Sequence, residues 1–257
     1  MNAHAATAIA TTAIATPKAL HRVRAAAGPE PFGMIDQQSG LVVKLARILG
    51  EVLQGKESAH SLRLQDLEQR REELQRRHQA AVLSIPEPCV GVDELQWTLE
   101  TLDRVAAGLF RTARRCHQVV LNPDDVTCEI VAGIQRAAAT LRQGYARLAN
   151  GSPAAEFAAE AAMACRHASV STQACALRAT HGETDRQHTQ SPGRFGALPG
   201  HASRLYELYG NLEDIARELA HAAAILKGWS LQLAGGLPSA NVGAHAGAPL
   251  AQHFGGN

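Results

Sequence analysis

The stretch TLETLDRVAAGLFRTARRC at residues 98–116 is echoed later in the chain by NLEDIARELAHAAAILKGWSLQL at residues 211–233. Both stretches carry small and aliphatic residues at alternating steps of three and four, the spacing of one buried face of a long helix. In and around the first stretch these positions are Val92, Leu95, Leu99, Leu102, Ala106, Leu109, Ala113, Cys116 and Val120. In and around the second they are Leu205, Leu208, Leu212, Ile215, Leu219, Ala222, Leu226, Trp229 and Leu233, each 113 residues further on. Such a shared register predicts two equivalent helices, and therefore a duplicated chain.

The remaining sequence divides into further helical segments that are separated by turn signals. No stretch has the alternation of polar and β-branched residues that a half-buried strand requires. The sequence therefore predicts an all-α fold with six long helices. We place these helices at about residues 38–55, 58–84, 91–121, 124–149, 153–189 and 201–234. Short connections force neighbouring helices to run antiparallel, so we expect two repeated antiparallel three-helix bundles.

The two predicted bundles comprise residues 38–121 and 122–234, and the segments 1–37 and 235–257 are predicted to be flexible tails. The C-terminal segment is rich in Gly, Pro and Ala, which favours irregular structure. Residues 1–29 contain no Asp or Glu and carry few basic residues, a composition weakly similar to a transit peptide. We interpret this segment as a tail rather than as a targeting signal.

The composition excludes several classes of protein. The chain has 25 Lys and Arg against 24 Asp and Glu, so no general attraction to nucleic acid or anionic lipid is expected. The 5 cysteines form no Cys-x-x-Cys motif, which argues against a disulfide framework and favours a reducing, cytoplasmic location. No apolar run approaches the roughly 20 residues that span a bilayer, so the protein should be peripheral to a membrane at most. No catalytic motif is present, and we predict a protein that is not an enzyme.

Three segments, in this order and spacing, resemble the PhoU family. They are LEQRREEL at 67–74, IPEPCVGVDELQWTLETLDRV at 85–105 and LYELYGNLEDIARELAHAAAILKGWSLQL at 205–233. The second segment is similar to the Pro-x-x-x-Asp-Ile leader and the Leu-Asp-Asp stretch of one branch of the family. That branch comprises the phosphate transport regulators that accompany low-affinity inorganic phosphate permeases. The resemblance covers about residues 40–234.

The resemblance implies a cytoplasmic helical regulator that modulates phosphate uptake or its signalling. Such a protein would bind an inorganic phosphate permease or a phosphate-signalling protein through its helical faces, and it would often form a homo-oligomer. The family also binds metal ions through surface carboxylates. By correspondence with its motifs, Glu68 and Glu72 occupy the first Glu-x-x-x-Asp motif, and His181 with Asp185 occupies the repeat of that motif.

The last helix of each half departs from the family pattern. Glu100 and Glu213 match the glutamate of the family motif, but Arg104 and Arg217 stand four residues later, where an aspartate is expected. A Glu-to-Arg pair at this spacing is favourable on a helix, and the guanidinium would take the place of a cation. We therefore expect at most a weakened site for a divalent or iron ion.

The residues expected at that weakened metal site are Glu68, Glu72, Asp103, His181 and Asp185. His181, Asp185 and His188 have the spacing of metal ligands on one helix face. We favour the interpretation that these three residues form a solvated polar turn, because Gly182 lies among them and the chain has 12 histidines.

Arg71 and His78 interrupt the apolar stripe of the second predicted helix, which Leu64, Leu67, Leu74 and Ala81 define. A polar residue at such a position predicts control of helix register or contact with a partner. Trp97 lies off the stripe of its helix and is a candidate anchor for a partner, whereas Tyr206, Tyr209 and Trp229 are expected to be mostly core. The candidate partner-binding residues are Arg71, Trp97, Arg104 and Arg217.

Two alternatives to a phosphate regulator remain open from the sequence. The first is a helical-bundle protein that holds a metal ion through carboxylates and histidines. The second is a helical scaffold that dimerises through its apolar stripes without any role in phosphate transport.

Overall fold

The computed structural model describes residues 31–85, 91–116, 125–188 and 201–235, and these residues form six α-helices and no strand. The helices are α1 (Pro31–Leu53), α2 (Leu62–Leu83), α3 (Val92–Cys116), α4 (Asp125–Ala149), α5 (Ala155–His188) and α6 (His201–Gly235). Helices α1–α3 form one three-helix bundle and α4–α6 form a second. The predicted all-α fold with two repeated bundles is confirmed.

Equivalent helices of the two halves pack against each other. The first helices, α1 and α4, are in contact, and so are the last helices, α3 and α6. Together with the α1–α3 and α4–α6 contacts, these pairs make a centre of four helices. The middle helices lie outside this centre, α2 against α1 and α3, and α5 against α4 and α6. The halves are thus joined along their first and last helices.

The two apolar stripes that predicted the duplication lie in this centre. Every stripe position whose side chain is described is buried, apart from Val92 and Leu205, which are partly buried. Val120 and the side chain of Leu233 lie outside the described part of the chain. Burial of a Leu or Ile side chain contributes about 1.5–3 kcal/mol. The paired stripes of α3 and α6 therefore provide much of the stability of the core.

Helix α1 begins at Pro31, whereas the sequence places the start of the first helix near residue 38. Proline is well suited to the first position of a helix, because its missing N–H has no partner there in any case. The first turns are held by tertiary contacts that the local sequence does not show. Met34 and Ile35 are buried, and the ring of Phe32 meets that of Trp229 edge to face at 5.8 Å.

Two helix ends show how local polar groups set the boundaries. Helix α2 begins after Ser61, whose Oγ accepts a hydrogen bond from the N–H of Leu64 at 3.3 Å, so the start lies four residues later than predicted. Helix α4 ends at Ala149, and the turn after it contains Gly151, which has a φ of 72°, a left-handed conformation that favours glycine. The helix α5 then begins beyond Ala154, whose N–H donates to Ser230 Oγ at 2.9 Å. This hydrogen bond ties the start of α5 to α6.

Ion pairs join the two halves at the surface of the centre. Arg104 pairs with Glu218 at 2.9 Å, Arg115 with Glu207 at 2.5 Å, and Arg142 with Asp36 at 2.9 Å. All six side chains are substantially exposed, so each pair contributes at most about 1 kcal/mol.

Helix α2 packs much less extensively than α5, its counterpart in the second half. Its buried residues are Leu64, Leu74, His78 and Ala81, and the rest of its surface is polar or half-exposed. The weak packing leaves an open space between α2 and α3.

Within the described residues, no helix is long and apolar enough to cross a membrane.

Candidate functional site

A cleft of about 420 Å³ lies where α2 separates from α3 and the start of α1. Four glutamines and one histidine contribute neutral polar groups, three aliphatic residues form an apolar wall, and three charged residues complete the lining. We call this feature the polar cleft. Its lining residues are Gln38, Gln75, His78, Gln79, Val82, Leu83, Gln96, Leu99, Glu100, Asp103 and Arg104.

Asp103 of α3 joins all three helices of the first half. Its carboxylate accepts hydrogen bonds from Arg71 Nη1 of α2 at 2.9 and 3.1 Å, and from Gln38 Nε2 of α1 at 3.4 Å. The side chains of Arg71 and Asp103 are 20% and 17% exposed, so water screens this pair only in part. Arg71 was one of the two polar residues that interrupted the apolar stripe. Its guanidinium lies between α2 and α3, bonded to Asp103.

His78, the second polar residue of that stripe, is buried against the polar cleft. Burial, with smaller contributions from the positive charges of Arg77 and Arg70, lowers the pKa of His78 from its ordinary value of 6.5 to about 4. The imidazole is therefore neutral at pH 7. It presents one N–H donor and one nitrogen acceptor rather than a positive charge.

We expect the buried neutral state of His78 to make the stability of the protein depend on pH. The folded state holds this proton with a pKa of about 4, whereas the unfolded chain holds it near 6.5. The unfolded state therefore binds more protons between these values, and the free energy of unfolding should fall by on the order of 2 kcal/mol as pH decreases through this window. Urea unfolding at several pH values measures the effect.

The variant His78→Gln should lack this component of the pH dependence, whatever its own stability. His221→Gln is the matched control, because His221 is exposed on α6. This control should retain the pH dependence of the parent protein. An identical loss of stability between pH 6.5 and 4 in His78→Gln and the parent would contradict the assignment to His78.

The predicted metal-binding residues do not converge in the described part of the chain. Glu68 lies 3.4 Å from Arg114, Glu72 is exposed, and Asp103 is bonded to Arg71. The side chains of His181 and Asp185 lie outside the described part of α5. Among the described residues there is no group of three or more His, Cys, Asp or Glu that could hold a metal ion.

The arginines at the departing motif positions pair with carboxylates other than those predicted. Arg104 bonds to Glu218 of α6 rather than to Glu100, and Glu100 instead accepts from Gln96 at 2.7 Å. In α6, Arg217 bonds to Asp214. The glutamate four residues before it, Glu213, accepts from Gln173 of α5 at 2.7 Å. The expected Glu-to-Arg pairs are therefore wrong, because carboxylates and amides on neighbouring turns and helices compete for the same groups.

The aromatic residues divide between core and surface. Tyr209 and Trp229 are buried, as expected. Trp97 is 45% exposed and Tyr206 is 55% exposed, so Tyr206 is not part of the core. Trp97 therefore presents an accessible aromatic surface on α3.

The chain is thus an all-α protein that consists of two duplicated three-helix bundles. The first bundle contains the polar cleft. No protein-family model matches the sequence, and no curated protein matches it. Among solved structures, the chain is similar to PhoU from Pseudomonas aeruginosa, with a TM-score of 0.57 and 14% identity over 86% of this chain and 99% of that one. It is also similar to a PhoU-like protein from Shewanella oneidensis, with a TM-score of 0.51 and 16% identity over 79% and 99% of the two chains. The chain has the PhoU-like fold.

Proposed function

We propose that this protein is a non-enzymatic regulator of inorganic phosphate transport or of phosphate signalling, located in the cytoplasm. It acts by binding an inorganic phosphate permease or a signalling protein through the exposed faces of its helices. The observation that carries the proposal is the PhoU-like fold. The structural match covers 99% of the chain of each of the two solved proteins. The sequence segments that resemble phosphate transport regulators support the permease as the partner.

Exposed side chains on α3 and α6 provide a surface for such a partner. Trp97 is 45% exposed, and the side chains of Arg104 and Arg217 are 49% and 66% exposed. Tryptophan and arginine are the residues that most often dominate the energy of protein interfaces. The internal ion pairs of these two arginines are exposed and therefore weak, so an acidic group of a partner can compete for them.

Two experiments test the proposal in the cell that carries the gene. Deletion of the gene should change the rate of inorganic phosphate uptake or the response to phosphate starvation, and re-expression should restore it. The tagged protein, isolated from membranes under mild conditions, should retain a phosphate permease or a phosphate-signalling protein. Unchanged uptake and an unchanged starvation response in the deletion strain would count against the proposal and would favour a helical scaffold.

We expect Trp97→Ala to reduce the retention of that partner by about tenfold or more, because truncation of a central aromatic removes a large part of the binding energy. Tyr206→Ala is the matched control, since Tyr206 is an aromatic residue of similar exposure on the equivalent helix α6. Quantification of the retained partner measures both effects. Equal retention by the two variants would remove Trp97 from the proposed surface.

A further inference from the structure

The polar cleft holds polar atoms whose hydrogen-bonding capacity is unused. Among the residues that the structure describes, none forms a hydrogen bond with Gln38 Oε1 or His78 Nε2. Gln38 is 1% exposed and His78 is 6% exposed, and both line the polar cleft. A buried polar atom without a partner costs about 1–3 kcal/mol. Two such atoms on residues that line one opening indicate a place prepared for a ligand.

The opening can admit a small molecule beside Gln38 and His78. Gln75, Gln79 and Gln96 form its exposed rim, and their long side chains can rotate without disturbing the core. A volume of about 420 Å³ lies within the range of about 300–1,000 Å³ that is typical of small-molecule sites.

Two of the three charged residues that line the polar cleft are paired with an opposite charge. Asp103 is bonded to Arg71, and Arg104 is bonded to Glu218. Glu100 lies at the cleft and accepts from Gln96. Gln96 is neutral and leaves the negative charge of Glu100 in place, whereas a strong anion would find no unmatched positive charge here. The lining therefore disfavours an anionic ligand.

The chemistry of the lining residues favours one class of ligand. Glutamine amides and a neutral imidazole each offer both a donor and an acceptor, and a glutamine side chain matches the donor and acceptor pair on an edge of adenine. Val82, Leu83 and Leu99 provide an apolar wall against which a flat ring can lie. A ligand with donors and acceptors along its edges and two apolar faces meets both requirements.

From this geometry we infer that the polar cleft binds an uncharged heteroaromatic molecule of the nucleobase or nucleoside type. The amides of Gln38 and of the rim bind the edge of the base, and the aliphatic wall contacts its face. This inference goes beyond the proposed regulatory function and does not depend on it.

Titration of the full chain with each of the four common ribonucleosides, followed by calorimetry, tests the inference directly. At least one nucleoside should bind at millimolar concentration or below. Its monophosphate should bind no more tightly, because the cleft offers no unmatched positive charge for the phosphate. Absence of binding by all four nucleosides would overturn the inference.

Two pairs of variants locate the binding in the polar cleft. Gln38→Met removes the amide and should weaken binding by about tenfold or more, whereas Gln37→Met alters an exposed neighbour on α1 and should leave the affinity unchanged. Leu83→Trp places a large ring at the rim, and Leu62→Trp is its control at the other end of α2, since these leucines are 80% and 76% exposed.

Leu83→Trp should block binding without a change in thermal stability, so the test does not depend on the folding of Gln38→Met. Leu62→Trp should bind as the parent protein does. Undiminished binding by Leu83→Trp would place the nucleoside elsewhere and overturn the inference.

Discussion

Replacement of Leu226 by alanine is expected to lower the free energy of unfolding by about 2–5 kcal/mol. Leu226 belongs to the apolar stripe of α6 and is fully buried. Its side chain fills the space above Gly144 of α4, where a Cβ atom would lie only 2.4 Å from Leu226 Cδ2. The truncation therefore leaves a cavity between two central helices that cannot collapse completely. Urea unfolding followed by circular dichroism measures the loss.

The contact between Leu226 and Gly144 provides an internal control. Gly144→Ala alone should cost about 1–3 kcal/mol by overpacking, because the new methyl group also approaches Phe157 Cβ at 3.1 Å. In the double variant, the methyl group at 144 occupies part of the cavity left by the truncation at 226. The double variant should therefore be more stable than the sum of the single effects predicts, by about 1 kcal/mol or more. Strict additivity would contradict this packing.

The surface of the same helix offers a matched comparison. Leu231→Ala removes the same atoms from a leucine that is 49% exposed. We expect a change within about 0.5 kcal/mol.

Asp103→Leu should destabilise the protein by about 3 kcal/mol, because it leaves Arg71 mostly buried without a counter-charge. The same change removes the acceptor for Gln38 Nε2. The double variant Arg71→Met/Asp103→Leu should recover most of the lost stability, since two apolar side chains of similar volume replace the pair. Chemical unfolding of the parent and the variants gives the coupling between the two residues.

Glu218→Leu is the control for this second prediction. It breaks the more exposed pair between Glu218 and Arg104, and it should cost less than about 1 kcal/mol. If Asp103→Leu were as stable as Glu218→Leu, burial would not strengthen the ion pair between Arg71 and Asp103.

The sequence predicted the features of the fold that follow from the regular spacing of apolar residues along a helix. The stripes of α3 and α6 predicted which faces are buried, because a spacing of three and four residues has one physical solution when a long helix packs along its length. The PhoU-like fold was implied by the resemblance and is matched by solved structures of low sequence identity. Helix boundaries depended on weaker local signals. Residues 31–37 were placed outside the first helix, because the contacts that hold this turn are made with a distant helix.

The candidate site was predictable only in part. Arg71 and His78 were identified because a polar residue in an apolar stripe is conspicuous in any sequence. Gln38 gave no such signal, since its importance comes from contact with a residue 65 positions away on α3. The ion-pair partners of Arg104 and Arg217 were predicted wrongly because spacing on one helix says nothing about the carboxylates of its neighbours.

The packing of α1 on α4 and of α3 on α6 is the geometry of an isologous interface, in which two subunits meet through the same patch. Here both subunits belong to one polypeptide. An exchange of α4–α6 between two molecules would preserve all of these helix contacts. Two molecules that exchanged these halves would therefore keep the helical core of each unit.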